Sequence, residues 1–138
     1  IERFEAHFAE RGYGLYATDI LETGAFIGFV GLQYTDFEAD FLPAVEIGWR
    51  LSANVWGQGY APEAARAVLE YAFAELRLDR VVSFTAVTNT NSIRVMQKIG
   101  MTPAGEFDHP KVAPESPLRR HVLYESRLEQ RKEKQMRD

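Results

Sequence analysis

Residues 45–65, Val-Glu-Ile-Gly-Trp-Arg-Leu-Ser-Ala-Asn-Val-Trp-Gly-Gln-Gly-Tyr-Ala-Pro-Glu-Ala-Ala, decide the fold. Val45, Ile47, Trp49 and Leu51 alternate with Glu46, Gly48 and Arg50, the period of a half-buried strand. Gly57 and Gly59 supply a bend, and from Pro62 a helical stripe follows: Ala61, Ala65, Val68, Leu69, Ala72, Phe73 and Leu76. Pro62 suits a first helical turn, where its missing N–H leaves no bond unmade. Val81–Val87 is then a near-continuous apolar run, as in a central strand covered on both faces. A strand, a helix and a strand in this order require parallel pairing through a right-handed crossover.

Working outward, Ile1, Phe4 and Phe8 have helical spacing over Ile1–Arg11, and Gly12 and Gly14 end that helix. Gly14–Ile20 and Ala25–Tyr34 read as strands joined by the turn Glu22-Thr23-Gly24, hence an antiparallel hairpin. Thr35–Pro43 is an acidic loop. Beyond Val87, Asn89 to Ser92 offer N-caps for a helix running to Ile99, with Gly100 just past its end. Strands are expected near Ala104–Phe107 and His121–Ser126, separated by the loop His109–Arg120. The charged tail from Arg127 to Asp138 reads as a frayed helix or as disordered. The expectation is one α/β (α+β) domain over 1–127, a mixed, mostly antiparallel sheet with one parallel βαβ at its centre, followed by the tail 128–138.

A chain of 138 residues with 46% apolar and 26% charged residues is an ordinary globular composition. The net charge of -4 argues against a nucleic-acid partner, since phosphate neutralisation needs clustered Lys and Arg. There is no cysteine, which excludes disulfides, thiolate metal sites and a Cys nucleophile. No stretch approaches the ~20 apolar residues of a membrane span, so no membrane partner is expected, and a cytoplasmic location fits. His7, His109 and His121 have no metal-ligand spacing, so no metal is expected.

A helix start after a glycine bend presents free N–H groups and the positive end of the helix dipole, a ready site for phosphate. On its own the bend is equally a tight strand-to-helix turn, and no Gly-Lys-Ser/Thr follows to make a Walker loop. A second segment, Asn89–Met101 (NTNSIRVMQKIGM), sharpens it. Trp56-Gly57-Gln58-Gly59-Tyr60-Ala61-Pro62-Glu63-Ala64, followed by Asn89, Ser92, Val95, Met96, Lys98, Gly100 and Met101, resembles the paired motifs of the GCN5-related N-acetyltransferase (GNAT) superfamily, RimJ/RimL-like branch. The resemblance covers most of residues 14–127.

The resemblance implies the GNAT fold with a splayed cofactor cleft, and transfer of an acetyl group from acetyl-coenzyme A to a primary amine. The acceptor would be a protein N-terminus, a ribosomal protein included, or a small-molecule amine. Trp49, Arg50 and Leu51 would offer backbone groups to the pantetheine arm. The N–H groups of Gly57, Gln58, Gly59, Tyr60 and Ala61 would hold the pyrophosphate, and Asn89 would bond the pantetheine portion. Arg94 or Lys98 would meet a phosphate, unless they are engaged in helix-surface ion pairs. It also implies that a strand and a helix ahead of Ile1 are missing, leaving an exposed edge open to a homodimer.

Catalysis requires a base, for which Glu46 is the candidate, and a proton donor for the leaving thiolate, for which the resemblance implies Ser92. Glu46 could instead be a half-solvated strand residue, and Ser92 a helix-capping hydroxyl. Tyr124 is a second acid candidate. Many relatives carry a tyrosine acid four residues before the glycine of the second motif, where Met96 stands here. His109 could contact substrate, and Asp36, Glu38 and Asp40 could steer a cationic amine. A non-catalytic protein that senses acyl-coenzyme A is the alternative.

Overall fold

The computed structural model describes residues 9–137, with side chains through Glu133. The helix expected at Ile1–Arg11 lies largely outside the described residues; Ala9–Arg11 are helical. The strands are β1 (Leu15–Asp19), β2 (Phe26–Thr35), β3 (Ala44–Leu51), β4 (Arg80–Ala86), β5 (Thr102–Asp108) and β6 (Arg120–Arg127). The helices are α1 (Tyr60–Ala74), α2 (Thr90–Lys98) and α3 (Leu128–Arg137), with a 3-10 turn at Ala53–Val55.

The six strands form one sheet in the order β1-β2-β3-β4-β6-β5. All neighbours are antiparallel except β3 and β4, which are parallel and joined through α1. This is the expected mixed sheet with a central βαβ, and the architecture of the GNAT fold. The last strand inserts between β4 and β5, an order that local sequence does not encode.

One face of the sheet carries the helices. Val30, Leu32, Ile47, Val81 and Tyr124 meet Ala65, Leu69, Ala72 and Phe73 of α1 and Met96 and Ile99 from the α2 region. Val82 on the opposite face is also fully buried, so β4 is covered on both sides, as its apolar run predicts. α1 starts at Tyr60, two residues before the proline expected to open it, because Gly59 takes a left-handed φ of 85° and turns the chain directly into the helix. The charged tail is helical over Leu128–Arg137. Leu128 packs against the core, and Arg131 lies 4.7 Å over the Phe73 ring and pairs with Glu70. The stem of this segment is therefore docked on α1.

β3 and β4 run together only briefly. They pair at Glu46↔Val82, and the Ser83 hydroxyl donates to the Ile47 carbonyl at 3.0 Å. Beyond that tie β4 stays paired with β6 as far as Ala86. β3 beyond Ile47 keeps only β2 beside it, and the strands part.

Candidate active site

The parting creates a cleft of about 390 Å³. Its β3 wall is Trp49, Arg50 and Leu51, its floor runs from Val55 to Pro62, and its far wall is Asn89 to Lys98. Hydrogen bonds alternate along an antiparallel strand. Ser52 N–H bonds Ile27 on the β2 side, whereas the Ile47 carbonyl takes Ser83 on the β4 side. By that alternation the backbone of Trp49 and Leu51 points into the gap and that of Arg50 points to β2. The Leu51 carbonyl is already taken by the Trp56 indole N–H at 2.8 Å. What remains is a short unpaired strand edge, a form that extended ligands use.

At the floor, Gly57 and Gly59 hold left-handed φ angles of 78° and 85°, with nothing near their missing Cβ atoms. Both are glycine for conformation, which leaves the backbone bare on the cleft side. Gly59, the N-cap of α1, offers no side-chain cap. Among the described residues, no backbone acceptor meets the N–H groups of residues 57–61. Gly57, Gly59, Tyr60 and Ala61 line the cleft; Gln58 does not, its amide donating to the Asn54 carbonyl at 3.3 Å. Arg94 and Lys98 also line it, and neither has a carboxylate partner among the described residues. Three cations, Arg50 included, thus border a row of free N–H donors. The arrangement fits an anion with several phosphates.

The second motif divides its work between two residues. Asn89 is the N-cap of α2 and accepts from Ser92 N–H at 3.2 Å. The Ser92 hydroxyl is consequently released from capping, and accepts the Trp49 indole N–H across the gap at 3.3 Å. Its own O–H proton is left to donate. Met96 is buried in the core at 1% exposure. Tyr124 is buried as well, its hydroxyl accepting from Gln97 at 3.3 Å, and is not on the cleft lining.

Glu46 stands on the other face of the sheet, in one cross-strand row with Val82 and Glu125. The two carboxylates differ sharply. Burial alone would raise Glu125, but Arg127 and Arg80, each at 3.0 Å, hold it below its ordinary value. Glu46 has no cation beside it among the described residues and accepts only a weak 3.4 Å bond from the Thr35 hydroxyl. Burial pushes its carboxyl up to about 7, slightly offset by Thr35. A carboxylate poised there exchanges protons near neutral pH.

Next to Glu46 on this face is a group of rings that periodicity does not reveal. Phe84 is surrounded by Phe37, Phe41, Phe107, His109 and His121 at centroid distances from 5.5 to 6.2 Å. The cluster pins the loops 36–43 and 109–119 over the sheet. His109 packs on Phe37 at 4.4 Å, and burial, then His121, Lys111 and Arg119, lower its pKa. The only sequence hint was Phe107-Asp108-His109, whose first and third residues share one face of an extended chain. Glu38 and Asp40 line a separate depression of about 340 Å³ beside Phe41 and Phe107, together with Glu106 and Asp108. Arg120 forms ion pairs with both of the latter two. Asp36 lines neither cavity. Among the described residues, no cluster of three His, Asp or Glu groups could hold a metal, and no helix is long and apolar enough to cross a membrane.

The chain is similar to several known proteins. The uncharacterized protein YkkB of Bacillus subtilis (strain 168) is 39% identical over 94 residues, 67% of this chain and 54% of that protein. The crystal structure of an acetyltransferase from Agrobacterium tumefaciens str. C58 superposes with a TM-score of 0.68 at 31% identity, covering 88% of this chain and 64% of that one. Mycobacterium smegmatis RimJ, solved in complex with CoA-disulfide, shares the fold at a TM-score of 0.75 and 21% identity, over 94% of this chain and 59% of that one. The chain spans about half the length of the curated relatives it matches. The acetyltransferase (GNAT) domain model matches residues 1–102, the parted strands and the glycine floor included, and the chain therefore belongs to the GNAT acetyltransferase family.

Proposed function

We propose that this chain transfers an acetyl group from acetyl-coenzyme A to a primary amine, by direct attack in a ternary complex, as a member of the RimJ/RimL-like branch. The observation that carries this reading is the pairing of two features on either face of the sheet where the strands part. On one side are the free N–H donors of residues 57–61 and the bare edge at Trp49 and Leu51. On the other is the half-buried carboxyl of Glu46, with no cation beside it among the described residues. The residues fit coenzyme A: Gly57, Gly59, Tyr60 and Ala61 would hold the pyrophosphate, Arg94 and Lys98 further phosphate charge, and Trp49, Leu51 and Asn89 the pantetheine.

Acetyl-coenzyme A supplies an activated acyl group on a thioester, and the chain's own residues do the rest. Holding acceptor and donor in one cleft provides much of the rate through orientation. Glu46 takes a proton from the acceptor ammonium, directly or through one water. Ser92, its oxygen already accepting from Trp49, presents its O–H toward the cleft, where a leaving sulfur needs a proton. The acceptor is either a protein N-terminus or a small-molecule amine, and the cytoplasm is the proposed compartment.

A second reading, a non-catalytic acyl-coenzyme A sensor, is favoured by one observation: Met96 occupies the place of the relatives' tyrosine acid and faces the core. Two measurements decide. Coenzyme A at a hundredfold over its Kd should stabilise the protein by about 2.7 kcal/mol, with no effect of ATP or NAD. Thiol release with a panel of amines then separates enzyme from sensor. Equal stabilisation by ATP would remove both readings.

A further inference from the structure

Gly48 is the one glycine of β3, and nothing in the fold asks for it. Its φ lies outside the left-handed region. The β2–β3 register runs unbroken from Gly28↔Leu51 to Thr35↔Ala44, so there is no bulge to accommodate. A Cβ built at Gly48 would meet nothing within 4 Å. Its neighbours behave differently: at Gly31, directly opposite, a Cβ would strike the Gly14 carbonyl at 2.2 Å, and at Gly28 the Arg50 carbonyl at 2.0 Å. A glycine inside a strand weakens it, and where no bulge or close backbone explains it, it marks the approach of a ligand.

The place of the gap gives it a meaning. Glu46 and Gly48 share the face away from the helices, two residues apart on one strand. From the Glu46↔Val82 pairing, Phe84 stands level with Gly48 on β4, where the two strands have parted. Phe84 is held by five rings on its outer side and is not free to swing. The cleft residue Trp49 follows immediately. The open space at Gly48 is thus on the face of Glu46, level with Phe84 across the parted strands, and one residue before the cleft-lining Trp49.

We propose that Gly48 is a specificity-determining position: its missing side chain forms the passage by which the amine-bearing carbon of the acceptor enters from the sheet face opposite the helices. It rests on the acetyl-transfer reading, and narrows the acceptor class to amines broad enough at that carbon to need the space, such as the α-amino group of a residue. A primary amine on an unbranched methylene needs less of it.

The test compares the unaltered chain with Gly48→Ala and Gly48→Val, using 1-aminopropane as the slender acceptor and alaninamide as the branched one. Three quantities are read: melting temperature, the melting shift given by coenzyme A, and acceptor KM by thiol release. Gly48→Ala should melt at or above the unaltered temperature, since a Cβ here meets nothing within 4 Å and restricts the unfolded chain without straining the folded one. The coenzyme A shift should persist. Gly48→Ala should raise KM for alaninamide by roughly tenfold and leave 1-aminopropane near its original value, whereas Gly48→Val should raise both. A KM that ignores both substitutions, or one that rises equally for the two acceptors in Gly48→Ala, overturns the assignment. A lowered melting temperature with loss of the coenzyme A shift overturns it too, by making Gly48 a structural glycine. No thiol release from the unaltered chain with any amine would instead sink the acetyl-transfer reading on which this depends.

Discussion

Glu46 and Glu125 occupy one row of the sheet with Val82 between them, and their surroundings push their acidities in opposite directions. Two guanidiniums offset the burial of Glu125; nothing comparable offsets that of Glu46. The consequence can be worked out with its sign. The folded-state pKa of Glu46 is about 7 against an ordinary 4.5. Between those values the folded chain keeps a proton that the unfolded chain has lost, so stability falls as pH rises, and above 7 the whole cost is present. Converted, that cost is roughly 3 kcal/mol at most. Glu46→Gln should therefore unfold in urea with little change at pH 4 and gain up to that amount at pH 8. The same substitution should lower kcat/KM by roughly a hundredfold or more and remove a rise in activity centred near pH 7. A catalysed rate that survives the substitution would show that Glu46 is not the base.

At the scale of the element, the start of α1 separates backbone chemistry from side-chain chemistry. Gly59 holds a φ of 85° that other residues adopt only with strain, whereas the Gln58 side chain bonds the Asn54 carbonyl and lies off the cleft. Gly59→Val should cost about 1–2 kcal/mol of local strain and turn the N–H donors away from a phosphate. Gln58→Ala should leave coenzyme A affinity as it was. Equilibrium binding of coenzyme A to both variants checks this; an equal loss in the two would mean that the glutamine side chain carries the contact. The start of α2 has its own division of labour. Asn89 caps the helix, so Ser92 is spared that task and reaches Trp49 instead. Sequence alone left capping and proton donation as rivals at Ser92, because both Asn and Ser are good caps and only geometry decides which one serves.

For the whole molecule, the cleft exists because the sheet is divided and the core is not. α1 packs against β2 and β3 while the α2 region rests on the β4 side, and one continuous apolar cluster joins them beneath the gap. Leu69 of α1 is 1% exposed within that cluster. Leu69→Ala should cost about 2–5 kcal/mol in denaturant unfolding, with far-UV helicity retained under native conditions; a cost below about 1 kcal/mol would mean that the core collapses around the deletion. By itself the sequence determined the strand–bend–helix–strand unit, the glycines that must be glycine at 57 and 59, and the family resemblance of two ordered motifs. These are local properties: strand periodicity, helix stripes and left-handed turns act over a few residues, and a chain shows them before it folds. Only the tertiary structure decided that β6 lies between β4 and β5, that Arg80 and Arg127 quench Glu125 and leave Glu46 alone, and that six rings from four segments roof the face where Gly48 lies open. Those facts depend on which strands become neighbours, and long-range pairing is set by the burial of the whole apolar surface rather than by any window of sequence.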